Sequence, residues 1–238
     1  MFGLLFDPER GSLYHRAILV AVCLITAVAA FGTASRFSRG DRLLACWILI
    51  GAAYALSGLR HGIRLLGLTV VPTLVLPNAI ANAMVIGQNV FIALALLLFV
   101  LAWRRTGLAA PGSRAAQLGS IAAGVLIAIV VGGYPLTKGM ASIASNPVLI
   151  ISTLGDMIGI ALIVPLAMPA LAMRGGLLMH TWVYLAASEA AWLLYDIWWA
   201  LELAPVNART GSAILEAIRL VAIGFAFAAA VAQRRALR

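Results

Sequence analysis

The chain has 238 residues, of which 63% are hydrophobic and 11% charged, against roughly a quarter charged in a soluble domain. At roughly 20 apolar residues for each crossing of a hydrocarbon core about 30 Å thick, this length holds roughly six to eight membrane helices and leaves no room for a soluble catalytic domain. The formal charge of +9 comes from arginines set in short runs between apolar segments, which is the pattern of cytoplasmic loops and not of a folded nucleic-acid-binding face.

Met1 to Arg16 carries Asp7, Glu9 and Arg10 and lacks the basic start and small-residue cleavage site of a signal peptide, so the first span is expected to be retained. Apolar stretches bounded by charge, Gly or Pro predict helices over 17–33, 43–59, 79–103, 117–133, 148–172, 178–200 and 211–233. Cys23 and Cys46 fall inside the first two and read as small buried hydrophobes. The stretch 65–77 is apolar, but Pro72 and Pro77 interrupt it. It reads as a re-entrant or interfacial segment, with an eighth span as the alternative. Asn78, Asn82, Gln88 and Asn89 cluster on the third helix, as side chains that bond between helices often do.

The expected fold is therefore all-α, a polytopic transmembrane bundle of seven helices forming one domain over residues 1–238. Seven spans put the termini on opposite sides, and the positive-inside rule selects a cytoplasmic C-terminus and an external N-terminus. That choice places Arg36, Arg39, Arg42, Arg104, Arg105, Arg114, Arg174 and the C-terminal Arg234, Arg235 and Arg238 inside. The other side keeps Arg10, Arg16, Arg60, Arg64, Lys138 and Arg209.

Ionisable residues at bilayer depth cost at least a few kcal/mol each and are functional-site candidates by default. Here they are Asp156 on the fifth helix, Glu189 and Asp196 on the sixth, and Glu216 and Arg219 on the seventh. At about 1.5 Å per residue, Asp156, Asp196, Glu216 and Arg219 fall in the outer half, with Glu189 near the midplane. Arg60, His61 and Arg64 belong to the outer end of the second helix or just beyond it. On the sixth helix Glu189, Trp192, Asp196 and Trp199 align on one face. Such a stripe suits a cation or an amphipathic ligand, with carboxylates for charge and indoles for cation–π contact. The plainer alternative pairs the acids internally with Arg219 or Arg60 and leaves the tryptophans as interfacial anchors. Glu216 and Arg219, three residues apart, are spaced to pair with each other.

Several chemistries find no support. His15 and His61 fall near the outer surface and His180 near the inner one, so they cannot form two depth-matched haem pairs, which leaves a single haem between His15 and His61 as the alternative. The only lysine, Lys138, falls in a loop where it cannot form a retinal Schiff base. No CxxC, HExxH, GxSxG or phosphate-loop pattern is present. The chain is thus expected to be no enzyme and to carry no metal or cofactor.

The run Gly155-Asp156-Met157-Ile158-Gly159 followed by Pro165 resembles the Gly-Asp-x-x-Gly-(x5)-Pro signature of bacterial membrane-associated sensor domains of the MASE type. The resemblance covers about one helix in seven. It implies a helical input module in a bacterial inner membrane, of a kind joined to kinase or cyclase outputs, with Asp156 facing the bundle core. The chain ends at Arg238, just past the last span, so the expectation is that its output comes from a separate partner, or that the chain is a truncated or repurposed module. The expected function is a sensor or receptor-like module whose outer polar pocket takes a small-molecule ligand through Asp156, Glu189, Trp192, Asp196, Trp199, Glu216 and Arg219. A transporter and an accessory subunit of a larger membrane complex are the alternatives.

Overall fold

The computed structural model describes residues 8–71, 73–105, 114–141, 147–172, 176–200 and 208–237, with backbone alone at several helix ends. Among these residues the chain is all helical: α1 Pro8–Ala34, α2 Arg42–Thr69, α3 Asn78–Arg105, α4 Arg114–Ala141, α5 Pro147–Ala172, α6 Leu177–Ala200 and α7 Ala208–Ala236. Each helix contains one of the seven stretches expected from the sequence. Four hold segments long and apolar enough to cross a membrane, namely Leu13–Ala34, Arg42–Thr69, Asn78–Ala102 and Ile214–Ala236. Shorter apolar stretches, Leu118–Tyr134 and Ile150–Val164, lie in α4 and α5.

This is an integral membrane protein, and helices are its natural solution because hydrocarbon offers no partner for a free backbone N–H or C=O. Large apolar side chains face outward throughout, with Val28 at 71% exposure, Val130 at 70% and Leu126 at 62%. In water these would be a liability, and against acyl chains they are solvated.

The turn between α1 and α2 needs glycine, since Gly40 sits at φ 94° where a Cβ would be strained. Asp41 then caps α2 by accepting the Leu43 backbone N–H at 2.8 Å. At its other end α2 runs well past the expected stop at residue 59. Its 28 residues span about 42 Å, which carries Arg60, His61 and Arg64 inside the helix. The 65–77 segment is accordingly neither a separate span nor a re-entrant helix. Its first five residues are the last turn of α2, and the chain then doubles back. Val70 and Val71 N–H both donate to the Leu66 carbonyl, at 2.9 and 3.0 Å, and the Leu74 carbonyl packs over Gly67, where any Cβ would collide with it. Pro72 itself lies outside the described residues.

The helices do not pack simply in sequence order. α1, α2, α3, α5, α6 and α7 contact one another around a closed ring, α7 meeting α1, while α4 packs on the outside against α5 and α6. Small residues set that arrangement. Gly124, Ala128 and Gly132, spaced every four residues on α4, meet Ala161, Val164 and Met157 of α5, and a Cβ at Gly124 would stand 3.0 Å from the Ala161 carbonyl oxygen. The close approach substitutes for a hydrophobic drive that lipid does not supply.

The two halves of the ring differ in chemistry. Near the start of α2 and α6 and the end of α3, Trp47, Phe99 and Trp182 stack edge to face, with centroids 5.7 and 5.1 Å apart. Leu96, Ile223 and Ala226 pack around them. At that end Thr33 Oγ1 of α1 donates to the Ala29 carbonyl of its own helix and to Ala230 of α7, both at 2.9 Å. Removing it with Thr33→Val is expected to cost about 1 kcal/mol, checked by unfolding in mixed micelles, with Thr69→Val, whose bond stays within one helix, as the neutral comparison.

Candidate functional site

Polar side chains gather at the opposite end, where α3, α5 and α7 begin and α2 and α6 finish. They surround a cavity of about 190 Å³. Its wall follows from helical phase: Ser57, Arg60 and His61 on α2, Val85, Gln88 and Asn89 on α3, and Trp192, Tyr195 and Asp196 on α6 repeat the same i, i+3, i+4 triplet, which one helix face presents together. Val148 and Ser152 of α5 and Arg219 of α7 close the ring.

Hydrogen-bond donors dominate this wall. The Arg219 guanidinium donates to the Tyr195 hydroxyl and lies over its ring, 4.8 Å from the centroid. Arg16, Arg60, Arg64 and Arg219 all come within electrostatic reach of His61. No arginine lies within 4 Å of a carboxylate among the described residues. Three residues of this wall also carry a fully buried nitrogen with no protein partner, Arg60 Nε, His61 Nδ1 and Asn89 Nδ2.

The acids stand behind and beside the donors. Asp196 is 3% exposed and accepts from Thr153 Oγ1 at 3.2 Å, with Asp156 close to it. Glu189 lies deeper and is within electrostatic reach of Asp156. It lines a second void of about 10 Å³ with Tyr54 and Ser188, room for about one water.

The glycines of α5 make these positions accessible. A Cβ at Gly155 would stand 3.0 Å from the Cβ of Asn89, and one at Gly159 would press on the Glu189 carboxyl. Gly155, Asp156 and Gly159 thus each face one polar partner, Asn89, Asp196 and Glu189 respectively. The Gly-Asp-x-x-Gly run has a local physical reason in this chain.

Of the residues expected from sequence, Trp192, Asp196 and Arg219 line the cavity, Asp156 supports Asp196 from behind, and Glu189 sits one layer down. Glu216 does not join them. The expected Glu216–Arg219 pair is not a direct contact: Glu216 Oε2 lies 3.4 Å from His15 Nδ1 on α1, while Arg219 donates to Tyr195 of α6 and stays within electrostatic reach of Glu216. The Trp199 side chain lies outside the described residues. Tyr195, Ser57 and Ser152 are cavity residues that the sequence reading did not single out. Tyr195 could have been found one position before Asp196, and Ser57 three before Arg60.

No family model, curated protein or solved structure matches this chain.

Proposed function

We propose that this protein is a receptor or sensor module of a bacterial inner membrane, not an enzyme, which binds a small molecule in the polar cavity and passes its occupancy to a separate cytoplasmic partner. The observation that supports this reading is the asymmetry of the bundle. A cavity lined by Arg60, His61, Asn89, Asp196 and Arg219 occupies one half, and the Trp47–Phe99–Trp182 core fills the other. A dead-ended site suits occupancy better than passage. The resemblance of 155–165 to sensor input domains points the same way.

In this reading the cavity faces outward. Arg36, Arg39, Arg42, Arg234 and Arg235 belong to the far end, whereas Arg60, Arg64 and Arg219 are built into helices around the site, so the loop arginines favour a cytoplasmic C-terminus. The test is purification in native nanodiscs followed by mass spectrometry. One small molecule per chain together with a kinase- or cyclase-type partner is the expected result.

A second reading, proton-coupled transport, is favoured by one feature: Glu189, Asp156 and Asp196 string carboxyls from the bundle middle to the cavity. Proteoliposome flux that vanishes in Glu189→Gln would replace the receptor reading with this one.

A further inference from the structure

The chemistry of the cavity wall goes beyond the presence of a pocket and names the class of its guest. We infer that the cavity is a binding site for a small organic carboxylate, held between the Arg60 and Arg219 guanidiniums with His61 and Asn89 completing the donor set. This rests on the receptor reading of the cavity given above.

The sequence alone suggested a cation or an amphipathic ligand, because acids and indoles alternate along α6. Their placement reverses the sign. Asp196 accepts from Thr153 on the neighbouring α5, and Glu189 is withdrawn to the second void. The arginines have no carboxylate within 4 Å among the described residues. His61, 5% exposed, lines the cavity together with Arg60, Gln88 and Asn89. A planar carboxylate suits a guanidinium fork better than any other common anion of this size.

Size and neighbours narrow the class. About 190 Å³ holds roughly six waters at about 30 Å³ each, which admits a short-chain acid and not a phospholipid. The Asp156–Asp196 pair beside the donors disfavours a dianion such as phosphate. Val85, Val148 and the Trp192 ring supply an apolar flank for the carbon chain.

The experiment uses full-length protein in nanodiscs and measures thermal unfolding against butyrate, 3-hydroxybutyrate, inorganic phosphate and n-butylammonium, each matched with chloride for ionic strength. The two carboxylates are expected to raise the unfolding temperature saturably, and phosphate and butylammonium are not. Arg219→Gln and Arg60→Gln should each weaken the apparent affinity by about tenfold or more, the size of one lost charged hydrogen bond. Asn89→Ala, which leaves every arginine in place, keeps the test open if an arginine variant loses its helical circular dichroism, and should weaken affinity about tenfold as well. No saturable effect of either carboxylate, an equal effect in the folded variants, or tighter binding of phosphate or butylammonium overturns the inference. Butylammonium binding would remove the carboxylate while leaving a receptor cavity. A native preparation that carries no small molecule, with no probe bound, would remove both.

Discussion

Gly159→Ala destabilises the protein by about 1–3 kcal/mol, the usual cost of overpacking a filled interior, and the same change in a Glu189→Ala background is neutral or stabilising. The reason is a single contact. A Cβ at Gly159 presses on the Glu189 carboxyl and would stand 3.1 Å from its Cδ. Glu189 is 5% exposed, and the void it lines with Tyr54 is only about 10 Å³, so the displaced carboxyl has little room there. With the carboxyl gone, what remains is the helix preference of Ala over Gly, about 0.5–1 kcal/mol in the opposite direction. A double-mutant cycle on urea or dodecyl sulfate unfolding in mixed micelles reads the coupling directly. Equal effects in both backgrounds would show that Gly159 does not serve to seat Glu189.

Phe99→Ala lowers stability by about 2–3 kcal/mol, below the ~3–5 typical of a water-soluble core. Phe99 is 1% exposed and bridges Trp47 and Trp182 edge to face, so its removal uncouples α2 from α6. In a bilayer the transfer term largely vanishes, because lipid is as apolar as the interior, and lost packing contacts make up the remainder. Leu97→Ala is the control. Leu97 is 42% exposed and faces lipid, so its truncation should change unfolding by less than about 0.5 kcal/mol. A comparable loss in both variants would mean that the aromatic chain is not the element tying this half of the ring together.

Such contrasts mark where sequence stopped being informative. The number of helices and their approximate places were legible, since a long apolar stretch has one stable solution in hydrocarbon. The length of α2 was not. Arg60, His61 and Arg64 looked like the end of a span, but a helix can carry such residues onward when some of them, here Arg60 and His61, face a polar cavity. The i, i+7 alignment of Glu189 and Asp196 was also legible, yet one acid reaches the cavity wall and the other a separate void, because Gly159 leaves room beneath only one of them.

Sequence by itself determined that this is a helical membrane protein, where seven apolar stretches lie along it, and which ionisable residues sit at an energetic cost. Only the tertiary structure decided that α3 packs on α5 with α4 left outside, that Glu216 takes His15 while Arg219 takes Tyr195, and that the wall of the cavity is rich in donors. The physical reason is one of range. Hydropathy and helical phase are properties of a single segment in its solvent, whereas partner choice depends on which helix stands next to it. In this bundle that is set by the small-residue contacts at Gly124, Gly155 and Gly159, whose fit no single helix reveals.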